Sequence, residues 1–393
     1  MSDRPLNGIV IVELGNLIAA PYAGMLLADL GARVIKVEPE HGDLARRFGP
    51  FQGGESVFFM AVNRGKESVA LDTGDWVSKR VLDNLVRKAD VVLHNLRYGA
   101  MERLGLGEDR CRGLNPELIY AVVSAFGSDG PYAKRPGVDI IFQGESGMIS
   151  ITGGPKEGPH KTATTIGNYV AGTNTALAIT AALAEHPRRG RRIDVSLRDG
   201  VMAVQSGWNA LAFAARRQPE RTGTASPFLA PNQVFEAADG PFTLAIVSDR
   251  HFELLCDALE RPDLIDDFPT NEARLAQGGL LARKLAQVFA IEGVEYWIEL
   301  FEGAGLPVGR ILTIAEAFDD PQARHHQMLV EFEHPTAGHV RMTGSPLRLD
   351  GEQARAEALP PQLGQHTRGV LHEMGVDDDT IETMIREGRA ISS

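Results

Sequence analysis

The stretch that decides the fold runs from Gly8 to Val37, GIVIVELGNLIAAPYAGMLLADLGARVIKV. Its opening, Gly8 to Leu14, is a near-continuous apolar, β-branched run, the composition of a strand buried on both faces. Pro21 then sits where a helix begins, because its fixed φ and missing N–H suit a first turn. Met25, Leu26, Leu27 and Leu30 carry the helical pattern to a stop at Gly31, and Val34 to Val37 is the next strand. Strand, helix and strand in one short segment make a βαβ unit, which calls for a parallel sheet covered by helices.

The alternation continues outward. Ser68 to Leu71 reads as a strand, Trp76 to Ala89 as an amphipathic helix, and Val91 to His94 and Leu118 to Val123 as further strands. Long helices are expected at Ile166 to Ala184 and Asp199 to Ala215, around a strand at Ile193 to Ser196. From about Ser226 the texture changes to a smaller α+β lobe: a strand at Phe242 to Val247, then helices at His251 to Leu259, Gly279 to Ala290 and Val294 to Gly303. The tail from Leu329 reads as strand, turn and strand, followed by a Pro-rich linker and one short final helix.

With 393 residues the chain exceeds one core of ordinary size, so two lobes are expected. Forty Lys and Arg against 52 Asp and Glu give a net charge of −12 with no like-charged tail, which argues against nucleic acid and against a polybasic membrane surface. The apolar run from Tyr169 to Leu183 contains Gly172, Thr173, Asn174, Thr175 and Thr180. It falls short of a bilayer span and reads as a buried helix. The chain has 2 cysteines, Cys111 and Cys256, far apart, and an N-terminus unlike a signal peptide; the expected setting is the reducing cytoplasm.

Common motifs fail. ELGNLIAAP after the first strand lacks the glycines of a dinucleotide fingerprint, and GGPKEGPHKT at Gly153 to Thr162 lacks the Lys and Ser or Thr of a phosphate loop. Ser146, in GESG, does not have the spacing of a nucleophile elbow. His325, His326, His334 and His339 read as solvent-facing rather than as metal ligands, so no metal is expected. Composition and spacing alone stop at a two-lobed α/β protein, read as an enzyme.

Five ordered blocks carry the reading further. They are VIVELGNLIAAPYAGMLLADLGARVIKVEP (Val10 to Pro39), ADVVLHNLRYGAMERLGL (Ala89 to Leu106), FGSDGPYAKRPGVDIIFQGESGMISITG (Phe126 to Gly153), TIGNYVAGTNTALAITAAL (Thr165 to Leu183) and RRIDVSLRDGVMA (Arg191 to Ala203). Together they resemble the class III CoA-transferases, the CaiB/BaiF family. The resemblance implies a Rossmann-like large domain with a parallel sheet, made of residues 1–220 and 329–393, and a small α+β domain at 221–328. It also implies an interlocked, ring-shaped homodimer. Family members move CoA between an acyl-CoA and a small carboxylic acid through an enzyme aspartate that becomes a covalent thioester. Coenzyme A enters as a substrate, and no permanently bound cofactor is expected.

At the family's aspartate position, in strings of the form (I/L)GD(Y/F)xxG, this chain reads IGNYVAG, placing Asn168 there. A carboxamide does not ionise near neutral pH and cannot form the anhydride or thioester. Three explanations remain open: an engineered substitution, a natural member that binds acyl-CoA silently, or another acid acting instead, with Glu145 and Asp139 the nearest candidates. Acyl-CoA racemisation would need a His where Val138 stands as well as an acid at 168, so it is disfavoured more strongly than transfer.

Formyl-CoA transferases carry Gln at the position of Ile18, Tyr at Val138, Arg at Pro39 and a glycine run where this chain reads TGTASPFLAPNQ (Thr222 to Gln233). Oxalate or formate is therefore not the expected substrate, and a somewhat larger acyl group, such as a short dicarboxylic acid, better suits a pocket lined by Ile18 and Val138. Carried over position by position, Leu71, Asp72 and Thr73 would line the adenine and ribose, with Asn95, Leu96 and Arg97 beside them. Arg103, Lys134 and Arg135 would meet the phosphates.

Overall fold

The computed structural model describes residues 4–216 and 218–393. The chain divides into two compact units. The larger holds the residues up to Met148, Thr162–Gly207 and Pro321–Ser393; the smaller holds Ile149–Lys161 and Trp208–Asp320. Against the boundaries expected at 221 and 328, the smaller unit thus starts at Trp208, ends at Asp320 and also takes up the Gly/Pro-rich loop.

The larger unit is built on the sheet that the opening segment calls for. Strands β1 (Val10–Leu14), β2 (Arg33–Glu38), β3 (Lys66–Leu71), β4 (Val91–His94), β5 (Ile119–Ser124) and β6 (Arg192–Ser196) pair in the order β3-β2-β1-β4-β5-β6, all parallel. A short C-terminal strand, Ala390–Ile391, adds antiparallel to β3, so the sheet is parallel-dominated rather than wholly parallel. Apolar residues of alternate register feed separate cores on its two faces. One contains Ile11, Val34, Val91 and Leu93; the other contains Val12, Ile35, Val69 and Val92.

Helix α1 (Ala19–Asp29) is buried along nearly its whole length on the first of these faces. Helix α2 (Trp76–Lys88) lies on the opposite face and buries Val77, Val81, Leu82, Leu85 and Val86. Asp75 starts it by accepting from the Val77 and Ser78 N–H groups. The short helix α3 (Asp139–Glu145), the long helix α4 (Ile166–Leu183) and helix α5 (Leu197–Val204) complete the first face.

Three expectations are corrected. Helix α4 is not buried all round: Ala171, Thr175, Ala176, Ile179 and Leu183 are covered, whereas Leu177 is 68% exposed. The single helix expected over Asp199 to Ala215 is two, α5 and a second at Ser206–Ala215. They part at Gln205, whose buried amide donates back to the Val201 carbonyl at 2.8 Å. Such local side-chain bonding competes with helix continuation. The tail carries two helices, Thr367–Glu373 and Asp378–Arg386, where one was expected.

In the smaller unit, strands β7 (Asn232–Glu236), β8 (Pro241–Ala245) and β9 (Val308–Arg310) form an antiparallel sheet. Helices α6 (Asp249–Ala258), α7 (Gly278–Phe289) and α8 (Val294–Gly303) pack on a core rich in Phe, including Phe235, Phe242, Phe289 and Phe301. Among the described residues no helix is long and apolar enough to cross a membrane.

Candidate active site

Strand β1 lies between β2 and β4, and the chain order along the sheet reverses there. Open α/β sheets bind ligands beyond the carboxyl ends of their strands at such a switch point. A cleft of about 200 Å³ sits at that place, lined by Leu14 at the end of β1 with Gly15 and Asn16 after it, Val37 and Glu38 at the end of β2 with Pro39 and Asp43 after it, Thr73 after β3, and Leu96 and Leu104 after β4. Its volume is below the roughly 300–1,000 Å³ of whole-ligand pockets, so it suits one end of a long ligand.

Beneath the cleft, the strand pattern is broken by charge. Glu13 and Lys36 are register partners on β1 and β2, and their side chains are fully buried. Lys36 Nζ lies 3.0 Å from Glu13 Oε1 and 2.9 Å from Asp43 Oδ2, and it donates to the Gly15 carbonyl at 2.7 Å. Lys66 Nζ meets the other Glu13 oxygen at 2.8 Å and donates to the Pro21 carbonyl and Asn63 Oδ1. Gly24 is required beside this cluster, because a Cβ there would stand 2.1 Å from Glu13 Oε2.

Burial works against the charge on Lys36, but Asp43 and Glu13 outweigh it and hold its pKa above the ordinary value. Lys66 is less compensated. Burial, with Lys36 nearby, pushes its pKa down to about 8. Burial would likewise raise the Glu38 carboxyl; the guanidinium of Arg46, donating at 2.7 and 2.8 Å, holds it below the usual range. Buried charges persist only when paired and hydrogen-bonded in this way.

The network fixes the turn between β1 and α1. Asn95, at the end of β4, accepts from the Asn16 N–H at 2.8 Å and donates to the Asn16 carbonyl at 2.9 Å. The Asn95 amide is therefore spent on the turn. Leu96 and Thr73 line the cleft directly, and Leu71 is fully buried in the sheet, paired with Ala390. The Asp72 side chain accepts from the Gly74 N–H.

Of the expected phosphate contacts, Arg97, Arg103 and Lys134 are exposed and have no carboxylate partner among the described residues. Lys134 Nζ lies 5.3 Å from the Tyr98 ring centre, so the segments after β4 and β5 meet. Arg135 is committed elsewhere: it pairs bidentately with Glu145 and packs against Phe126 and Tyr132.

Asn168 stands in the first turn of α4. It is partly exposed, its N–H bonds to the Thr165 carbonyl, and its carboxamide makes no hydrogen bond among the described residues. One turn on, Gly172 backs against α1, where a Cβ would lie 2.8 Å from the Ala19 carbonyl oxygen. Residues four apart share a helix face, so Asn168 belongs to the face that meets the start of α1. The neighbouring Tyr169 ring packs edge-on to Tyr22 at 5.0 Å. Ile18 is buried at that same helix start, whereas Val138 is 63% exposed at the head of α3.

The two acids proposed as substitutes are both occupied. Glu145 faces Arg135. Asp139, 9% exposed, accepts from the Gly167 N–H at 2.8 Å and from Gln143 Nε2 at 2.6 Å. Gln143, fully buried, accepts in turn from the Thr162 N–H. The sequence reading missed Gln143, Asn16 and Asp43. Asp43 had a companion signal in the charges set among apolar strand residues, Glu13 in β1 and Lys36 between Ile35 and Val37 in β2. In the smaller unit, the Thr222 to Gln233 segment lines a separate cavity of about 460 Å³ with Arg221 and the start of α7.

Comparison with known proteins identifies the family. Residues 6–367 match the family described as CoA-transferase family III. The chain is 36% identical over 353 residues to the acetyl-CoA:oxalate CoA-transferase of Acetobacter aceti, covering 88% of this chain and 90% of that one. It is 33% identical over 392 residues to the human succinyl-CoA:glutarate CoA-transferase, covering 98% and 90%. A crystal structure of a CaiB/BaiF family protein from Brucella suis superposes with a TM-score of 0.84 at 31% identity, covering 95% and 100%.

Proposed function

Because the chain belongs to the family III CoA-transferases, we propose that it binds CoA thioesters at the switch-point cleft and that position 168 is the seat of covalent transfer, occupied here by an amide. Thr73 and Leu96 would line the nucleotide end, with Arg97, Arg103 and Lys134 as the free cations for its phosphates. The small acid would be a short dicarboxylate, in keeping with relatives named for oxalate and glutarate.

In this reading a carboxylate at 168 attacks the thioester carbonyl, forming a mixed anhydride and expelling CoAS⁻. The thiolate then attacks the enzyme acyl carbon, releasing the first acid and leaving an aspartyl-CoA thioester. The acceptor carboxylate attacks the aspartyl thioester carbonyl, forming a second mixed anhydride and expelling CoAS⁻, and the thiolate then attacks the acceptor's acyl carbon to give the new thioester and the free enzyme carboxylate. Asn168 has no anionic oxygen with which to begin.

The observation that carries the proposal is the Asn168 amide, without a side-chain hydrogen bond, on the face of α4 that meets the start of α1. The engagement of Asp139 and Glu145 supports a chain that, as it stands, holds acyl-CoA without turning it over. The test is Asn168→Asp with succinyl-CoA and a panel of short acids, read by acyl exchange and by intact mass. The expected result is exchange and a covalent CoA adduct in the variant and neither in the unaltered chain. An adduct in the unaltered chain, or no exchange in the variant, overturns the proposal. A homodimer is part of the same proposal, since it would cover Leu177, Met202 and Val204, which are exposed on α4 and α5.

A further inference from the structure

Leu17 stands in the left-handed region at φ 64, a conformation that costs a residue with a Cβ about 1–2 kcal/mol. Three side chains pay attention to the backbone around it. Asp43 Oδ1 accepts from the Leu17 N–H at 3.0 Å and from the Ala45 N–H at 2.8 Å, while its Oδ2 lies 2.9 Å from Lys36 Nζ. Lys36 holds the Gly15 carbonyl, and Asn95 clasps both backbone groups of Asn16. The turn is thus tied to the ends of both neighbouring strands, and Gly15, Asn16 and Asp43 are themselves walls of the cleft.

We infer that Asp43 is a positioning residue for the coenzyme: by latching Leu17 in its left-handed conformation it sets the wall of the CoA cleft. The inference rests on the reading of that cleft as the CoA site. Asp43 cannot itself be a ligand contact for the phosphates, being an anion whose two oxygens are both committed. An amide could not replace it. Its single oxygen would serve either the two backbone N–H groups or the ammonium, and its NH2 would then face a donor on the other side. The affinity of a ligand falls in proportion to the fraction of protein in the competent conformation, so loss of the latch is read as weaker binding.

Free CoA is titrated by calorimetry into four full-length proteins: unaltered, Asp43→Asn, Asp43→Asn with Leu17→Gly, and Leu17→Val. Asp43→Asn is expected to bind about tenfold more weakly. Glycine adopts φ near +60° without a steric cost, so the double variant should return to within about threefold of the unaltered chain. Its melting temperature should stay at that of Asp43→Asn, because Lys36 still lacks its second anion. A merely structural role for Asp43 predicts no such separation. Leu17→Val leaves the ion network intact and should also bind about tenfold more weakly, since a β-branched residue resists this conformation. It decides the matter if Asp43→Asn does not fold. Equal affinity in the unaltered chain and Leu17→Val, or failure of glycine to restore binding to a folded Asp43→Asn, overturns the latch alone. Absence of CoA binding by the unaltered chain overturns the reading of the cleft, and the latch with it.

Discussion

Asp139→Asn exchanges one atom, yet it should loosen the start of α4 measurably. The relay from Gly167 through Asp139 and Gln143 to Thr162 has backbone N–H donors at both ends. It closes only because the carboxylate is an acceptor on both oxygens. With an amide at 139, either Gly167 N–H or Gln143 Nε2 faces another donor, and turning Gln143 over moves the conflict to Thr162. A buried donor left unsatisfied costs about 1–3 kcal/mol, and losing a negative charge at a helix N-terminus adds about 0.3–1 kcal/mol. The sum is about 1.3–4 kcal/mol, or about tenfold and upward in local opening. Hydrogen exchange followed by mass spectrometry should show this acceleration in peptides covering Thr162 to Gly172, with peptides from α8 unchanged as an internal control. Less than threefold acceleration would mean that Asp139 does not hold this helix start, and its availability as a substitute nucleophile would have to be reconsidered.

Two more expectations concern the whole protomer. His94, at the end of β4, is 6% exposed with neither ring nitrogen hydrogen-bonded among the described residues, and burial, with Arg192 adding, pushes its pKa down to about 4. The unfolded chain takes up this proton near pH 6.5 and the folded chain only near 4, so stability contributed by neutral His94 is complete above 6.5 and is lost as pH falls between those values. Denaturation midpoints at pH 7 and 4.5 should diverge by up to about 3 kcal/mol more in the unaltered chain than in His94→Leu; equal divergence would refute this. The exposed apolar residues of α4 and α5 predict a particle of twice the chain's mass in light scattering, and a monomer at micromolar concentration would dismiss the proposed dimer.

The βαβ core was legible because its strands are buried on both faces and read as unbroken apolar runs. Gly31 and Pro21 marked the ends of α1 for the usual conformational reasons. What escaped the reading was of two kinds. The addition of Ala390 to the sheet edge beside Leu71 depends on a partner distant in sequence, and the bond of Gln205 back to Val201, though only four residues long, leaves no mark on the helical periodicity. Helix α4 read as buried all round from its composition, yet half of it is uncovered in the protomer. The strand ends pointed to the candidate cleft, but the commitment of Asn95 to Asn16, and of Arg135 to Glu145, arises from contacts made only in the folded chain. Asp43 itself, a loop acid, has no periodicity to betray its burial; the one hint is indirect, in the Glu13 and Lys36 charges set inside the strands.

The distribution of negative charge explains why an amide at 168 is hard to circumvent and easy to reverse. Glu13 and Asp43 are held by buried lysines, Glu38 by the partly buried Arg46, Asp139 by a backbone N–H and Gln143, and Glu145 by Arg135. Freeing one of the buried acids to act as a nucleophile would strand a partner at a cost of several kcal/mol; Glu145, paired with Arg135 at the surface, is released at about 1 kcal/mol or less. Asn168 carries no such obligation. Its helix start favours an anion by about 0.3–1 kcal/mol, Asp139, bonded from α3 to the adjacent Gly167 N–H, opposes it, and its partial exposure lets water carry the remainder of the charge. Replacing one NH2 by oxygen there therefore asks for no rearrangement of the surrounding fold, which is why Asn168→Asp is the decisive substitution and a search for a second acid is not.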